Sequence, residues 1–202
     1  MLCQIHIPDS ELELLTRKLD LVRLPSFHVD WRDDNGIDPK GVADIVRFWR
    51  DTYDWRAEEA KLNELPQFKT PIDVDDGFGT IDLHFVHSTA SAANATPVLF
   101  LHGWPGSFIE ISKGLHLLTE AGYHVVAPSL PGYGFSSYTE KKGFDLRKHA
   151  EVFQKLMQKL GYKNYVVQGG DWGADIARTM GLMYPDNVKA VHQNMVRPAT
   201  PQ

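Results

Sequence analysis

From about residue 80 onward, short apolar runs alternate with stretches of helical periodicity, and this alternation restricts the fold more than any other feature of the chain. The runs lie at 81–87, 97–101, 123–127, 165–168 and 188–192; the helical stretches lie at 108–121, 146–160 and 174–184. Strands separated by helices predict an α/β fold, a mostly parallel sheet with helices on its faces. The run at 81–87 alternates with period 2 and reads as an antiparallel member of that sheet. The first 70 residues have a different texture, helical and rich in tryptophan. Asp9 or Ser10 is placed to cap a helix through Leu19, a second helix fits 40–53, and a third begins at Trp55 and is stopped by Pro66. The chain is therefore expected to divide into residues 1–70 and 71–202. The last residues, Arg197 to Gln202, read as a connection leading out of a strand.

Composition excludes several function classes. Of the 202 residues, 43% are hydrophobic, enough for a substantial core. The formal net charge is -5 with acidic and basic residues interspersed, so there is no basic stripe for nucleic acid and no polybasic cluster for anionic lipid. A small neutral molecule is the expected partner. Cys3 is the single cysteine and cannot form an internal disulfide. No stretch approaches the roughly 18 apolar residues of a membrane span, and the start lacks a basic region followed by an apolar run. A cytoplasmic protein without a transmembrane anchor is expected. His84 and His87 have no metal-ligand context, and neither a His-Glu-x-x-His nor a cysteine cluster occurs, so no metal and no cofactor is expected.

The most informative stretch for chemistry is Tyr165-Val-Val-Gln-Gly-Gly-Asp-Trp-Gly-Ala-Asp175, a strand turning sharply into a helix. Gly169 and Gly173 flank Asp171 two residues away on each side, which is the nucleophile-elbow pattern with Asp in place of serine. The glycines belong there because strand and helix approach too closely for a Cβ, and Asp tolerates the left-handed backbone of such a turn. The plainer reading is that Asp171 caps the following helix, with Asp175 favoured by the dipole of its first turn. A second motif, His102-Gly-Trp-Pro-Gly-Ser107, ends the strand at 97–101. Strand ends of a parallel sheet are where ligands bind. The two motifs together predict one site, with backbone N–H groups of Trp104 and Trp172 as an oxyanion hole and His102, Gly103, Trp104, Pro105 and Trp172 contacting substrate. A third loop on the same sheet edge, Pro128-Ser-Leu-Pro-Gly-Tyr-Gly-Phe-Ser136, is too rich in Pro and Gly to be helical.

These motifs, with Phe48-Trp49, Tyr53-Asp-Trp-Arg56, Leu62-Asn63, Pro66-Gln-Phe-Lys-Thr70, His84-Phe-Val-His87 and Gln168-Gly-Gly-Asp-Trp-Gly173, resemble the microsomal type of epoxide hydrolase across nearly the whole chain. The resemblance implies a partial α/β-hydrolase fold, residues 71–202 being the N-terminal half of its core and residues 1–70 the N-terminal extension of that family. Trp31, Trp49 and Trp55 are then packing residues of the extension. It also implies that the Asp171 carboxylate opens an epoxide to an alkyl ester, which water hydrolyses to a vicinal diol. The family's water-activating histidine, its carboxylate partner and two lid tyrosines would lie beyond Gln202. Residues 1–202 are thus expected to be incomplete for turnover, with strand 188–192 unpaired on its outer edge. His192 lies inside that strand and is read as structural. Two alternatives stand beside this reading: a haloalkane dehalogenase using the same Asp, and a truncated relative that binds without turnover. Homo-oligomerisation stays open.

Overall fold

The computed structural model describes residues 1–24 and 38–195, so Trp31 and the terminal segment 197–202 lie outside the described residues. The chain falls into two compact units, residues 5–64 and residues 1–4 together with 65–202.

The larger unit is built on one sheet of six strands: β1 (Gln67–Val74), β2 (Gly79–Ser88), β3 (Thr96–Leu101), β4 (Tyr123–Pro128), β5 (Tyr165–Gly169) and β6 (Val188–Gln193). Their order across the sheet is β1-β2-β4-β3-β5-β6. The β1–β2 and β2–β4 pairs are antiparallel; β3–β4, β3–β5 and β5–β6 are parallel. β1 has no counterpart among the runs read from the sequence, although Phe68, Ile72 and Val74 alternate with Lys69, Pro71 and Asp73 as a half-buried strand does; a proline within the run argues against a strand. It is an edge strand, where a proline costs no ladder bond that the sheet needs.

Three helices follow the parallel strands: α4 (Leu115–Glu120), α5 (Leu146–Lys159) and α6 (Trp172–Met183). Asp145 caps α5 by accepting the N–H groups of Arg147 and Lys148, at 2.9 and 3.2 Å. The apolar face of α5 carries Val152, Phe153, Leu156 and Met157, all fully buried in the core. The stretch 108–121, expected as one helix, is instead a 3-10 turn (Phe108–Ile111) and the short α4, with Gly114 at the N-cap between them. A glycine at that point weakens a continuous helix, and the chain uses it as a joint.

The β1–β2 turn is fastened to α5 by charge. Glu151 accepts the N–H of Asp75 at 2.7 Å and pairs with Lys148 and Lys155 at 2.8 and 2.7 Å. Burial pushes its carboxyl up, but the Asp75 amide and the two ammonium groups overcome this and bring it down to about 2.

His84 on β2 is fully buried, with Ser129 Oγ and Gln67 Oε1 each 2.9 Å from a ring nitrogen and Phe108 edge-on at 4.7 Å. Burial, and then the nearby Lys69, lowers its pKa from 6.5 to about 4. The folded state therefore binds this proton less readily than the unfolded chain. The associated stability is complete above pH 6.5 and is lost as pH falls toward 4, about 3 kcal/mol for this one group. His87, His102 and His149 are shifted in the same direction by burial, whereas Glu151 loses its contribution only below pH 4.5. In urea titrations between pH 6.5 and 4.5, the wild-type chain is expected to lose stability steeply, and His84→Gln to remove about one proton from that slope. An unchanged slope in the variant would contradict the assignment.

The smaller unit holds α1 (Asp9–Asp20), α2 (Pro39–Asp51) and α3 (Trp55–Leu62). Neither Asp9 nor Ser10 caps α1; Pro8 occupies that position without a side-chain bond. Asp38 and Asp54 cap α2 and α3. Buried Glu59 ties the unit together, accepting from the Ile7 N–H at 2.6 Å, Trp55 Nε1 at 3.1 Å and Arg56 Nη1 at 2.6 Å. Trp55 thus packs as expected of it, while Trp49 on α2 is 44% exposed.

Candidate active site

The strand order reverses at β3: its connection through α4 leads to β4 on one side, while β5 lies on the other. Such a switch point opens a crevice at the carboxyl ends of the two central strands. The loop after β3 and the turn after β5 carry the motifs at His102–Ser107 and at Asp171, so the topology brings the two together.

Asp171 sits between β5 and α6 with φ 50° and ψ -123°, and is one of two non-glycine residues with positive φ among those described. That conformation is strained for any L-residue and persists only where surrounding packing imposes it. The glycines supply that packing. A Cβ on Gly169 would overlap the Gly173 carbonyl, and one on Gly173 would overlap the carbonyls of Leu101 and His102. Strand β5, helix α6 and the end of β3 are therefore locked at backbone contact. Asp171 occupies the N-cap position of α6, yet its side chain makes no capping hydrogen bond. Instead its Oδ1 accepts the backbone N–H of Trp104 at 2.8 Å, across 67 residues of sequence. The simple cap reading is overturned by this geometry.

Gly103 makes the approach feasible, since a Cβ there would lie 2.6 Å from Asp171 Oδ1. Behind the loop, His102 is buried. Its Nε2 accepts the Leu130 N–H at 3.0 Å, so the proton is on Nδ1, which donates to the Gly103 carbonyl at 3.0 Å. Burial lowers its pKa, against the opposing Gly103 carbonyl. Both ring nitrogens are committed to bracing the 102–107 and 128–136 loops. His102, expected among the substrate-contacting residues, therefore lies behind the loop and not at its surface. The Trp104–Pro105 peptide is cis. Trp104 and Trp172 are 68% and 47% exposed.

Trp172 also lines a cavity of about 530 Å³ with Tyr133, Tyr138, Phe144, Leu146 and Ile176. His149 borders it too, its Nδ1 held by the Asp145 carbonyl at 2.8 Å. The only local trace of this cavity in the sequence is the spacing of Tyr133, Tyr138 and Phe144. His192 lies on β6 in register with Gln168 and is exposed, lining a second cavity with Phe100 and Gln168. Among the described residues, no group of three or more His, Cys, Asp or Glu side chains is arranged to hold a metal ion, and no helix is long and apolar enough to cross a membrane.

A mostly parallel sheet with flanking helices, whose switch point holds a strained residue on a glycine-flanked elbow facing a loop amide, defines an α/β-hydrolase fold. Residues 96–196 match the family described as alpha/beta hydrolase fold, and residues 2–111 match the one described as epoxide hydrolase N terminus. The chain belongs to the epoxide hydrolase family that carries this N-terminal segment. It is 37% identical over 205 residues to epoxide hydrolase 1 of Sus scrofa, covering 95% of this chain and 44% of that one. It is 38% identical over 209 residues to juvenile hormone epoxide hydrolase 1 of Ctenocephalides felis, covering 98% and 43%. The solved structure of Aspergillus niger epoxide hydrolase superposes with a TM-score of 0.88 at 34% identity, covering 100% of this chain and 53% of that one. The chain thus spans about half the length of the relatives it matches.

Proposed function

We propose that these residues form the nucleophile half of an epoxide hydrolase site, in which Asp171 attacks the ring. The observation that carries this reading is the hydrogen bond from the Trp104 N–H to Asp171 Oδ1 at the switch point, made by a side chain that does not cap its own helix. A carboxylate at neutral pH is already ionised and needs no base to attack carbon. Asp171 Oδ forms a bond to one ring carbon, the strained C–O bond breaks, and the ring oxygen takes up a proton, leaving a hydroxyalkyl ester. Water, deprotonated by a base, then adds to the ester carbonyl. The negative charge that develops there faces the amides of Trp104 and Trp172, and its collapse expels the diol and restores Asp171. In this reading the water-activating histidine, its carboxylate partner and the donors to the ring oxygen come from the part of the relatives that residues 1–202 do not span. The domain assignment is proposed on the same footing: an extension ending where β1 begins, followed by the N-terminal half of the hydrolase core. The substrate is a small epoxide, and the apolar cavity beside Trp172 favours one with an apolar substituent.

The test is a product assay on a chain that joins these residues to the C-terminal half of the relatives, supplied with aryl epoxides and, separately, with haloalkanes. Diol from the epoxides is expected. Halide release without diol would replace this reading by dehalogenation through the same Asp171. Because Trp104 and Trp172 act through backbone N–H groups, Trp→Phe at either position should lower kcat by less than about tenfold, below the cost of deleting an oxyanion-hole donor. Loss at Trp172→Phe as large as that at Asp171→Ala would assign the indole itself a part in the chemistry.

A further inference from the structure

Gly103 meets one demand of the site and creates another. Its lack of a Cβ lets the chain pass against Asp171, and the same lack leaves the peptide planes beside it freer to rotate than those beside any other residue type. The plane at stake is Gly103–Trp104. It is trans, Trp104–Pro105 being the one cis bond among the described residues, so its carbonyl and its N–H point in opposite directions. The N–H donates to Asp171 Oδ1 at 2.8 Å. The carbonyl of that same peptide accepts from His102 Nδ1 at 3.0 Å. One planar unit is thus gripped at both ends, by the proposed nucleophile on one side and by an imidazole on the other.

The imidazole is itself held. It is buried, its Nε2 accepts the Leu130 N–H at 3.0 Å, and the Tyr133 ring meets it edge-on with centroids 5.5 Å apart. Tyr133 is tied to the same turn, its N–H donating to the Leu130 carbonyl at 2.8 Å. A backbone N–H can only donate, so the Leu130 bond selects the tautomer with its proton on Nδ1, the one able to grip the Gly103 carbonyl. Donation to that carbonyl also polarises the amide and makes the Trp104 N–H a stronger donor. We propose that His102 is a positioning residue: through Nδ1 it fixes the Gly103–Trp104 peptide, so that the Trp104 N–H stays aimed at the oxygen on which charge develops when the Asp171 ester is cleaved. The inference rests on the reading of Asp171 as nucleophile, but two of its three measurements need no turnover.

Two substitutions separate the ring nitrogens. In His102→Asn the side-chain amide nitrogen reaches the place of Nδ1, keeping the donor to the Gly103 carbonyl and losing the acceptor for Leu130; in His102→Gln the amide oxygen reaches the place of Nε2, keeping that acceptor and losing the donor. Amide hydrogen exchange of the 202-residue chain, resolved by NMR with the β1–β2 amides as reference, should split accordingly. His102→Gln should speed exchange at Trp104 at least about tenfold while Leu130 stays within about threefold of wild type, and His102→Asn should do the reverse. In the longer chain, His102→Gln should lower kcat for diol formation at least about tenfold with KM within about threefold, whereas His102→Asn should keep kcat within about threefold of wild type. Nitrogen-15 shifts of the wild-type imidazole need no variant and should place the proton on Nδ1 at neutral pH. A proton on Nε2 overturns the proposal, as does unchanged exchange at Trp104 in His102→Gln. A fall in kcat as large in His102→Asn as in His102→Gln, or loss of protection at the reference amides in both, would make His102 an ordinary core residue and overturn it too. Absence of diol and of any Asp171 adduct in the wild-type longer chain overturns the nucleophile reading instead, while the tautomer and the exchange split decide separately whether His102 holds the peptide.

Discussion

Asp171→Ala is expected to lower diol formation by a factor on the order of 10⁴ or more in a chain that joins residues 1–202 to the remaining half of its relatives. An alanine methyl cannot form the ester, and the rest of the site offers no second carboxylate at that point. The substitution should be tolerated by the fold. Asp171 contributes no cap to α6, and its φ of 50° is enforced by Gly169 and Gly173 rather than by its own side chain. Aspartate and alanine both bear the strain of that backbone region, of order 1–3 kcal/mol, so the exchange changes it little and should not unfold the larger unit. Steady-state diol production and a urea melt on the same preparation separate the two effects. Diol formation surviving at more than a trace in a folded variant would return Asp171 to a structural role.

Residues 1–202 by themselves are expected to form at most one alkyl ester per chain and no sustained diol. The second half-reaction needs a base aimed at water over the Asp171 carbonyl, and His102, His84 and His192 are poorly placed for it. His102 has both ring nitrogens engaged, His84 is buried with both of its own engaged, and His192 is on the edge strand. Product counting against active chains gives the answer. More than a few turnovers from a cooperatively folding monomer would show that a base is present, and His149 would come first: its Nδ1 is held by the Asp145 carbonyl, which leaves Nε2 as the basic nitrogen bordering the cavity. The same chain leaves the outer edge of β6 without a neighbouring strand among the described residues, and Val191 is 39% exposed. An unpaired edge of this kind favours self-association, so the count is best taken on a fraction shown to be monomeric.

The parts of this fold that could be read in advance are those whose cause is local. The elbow was legible because the requirement for Gly169 and Gly173 is steric and acts over four residues. The apolar runs of β3, β4 and β5 were legible because a strand inside the sheet with helices on its faces has little polar alternation to confuse it. β1 was not, since Pro71 in mid-run argues against a strand, although the residues around it alternate with period 2. The break at Gly114 and the missing cap at Asp9 were lost to a propensity reading that favours continuous helices and capping side chains. The meeting of Trp104 with Asp171 could be guessed from two motifs on one sheet edge, but its geometry depends on β3 and β5 being neighbours, which no local signal encodes.

The central claim is that Asp171 bonds to the substrate and that water attacks its carbonyl rather than the epoxide. The direct measurement is turnover of an aryl epoxide by the longer chain in water enriched in oxygen-18, followed by mass analysis of the tryptic peptide from Asn164 to Arg178, which contains Asp171. If the ester forms and is cleaved at its acyl carbon, the heavy oxygen enters the Asp171 carboxylate, and the diol from the first turnover carries none of it. Heavy oxygen in the first-turnover diol, with the peptide unlabelled, would mean that water opens the ring directly and that Asp171 is not the nucleophile.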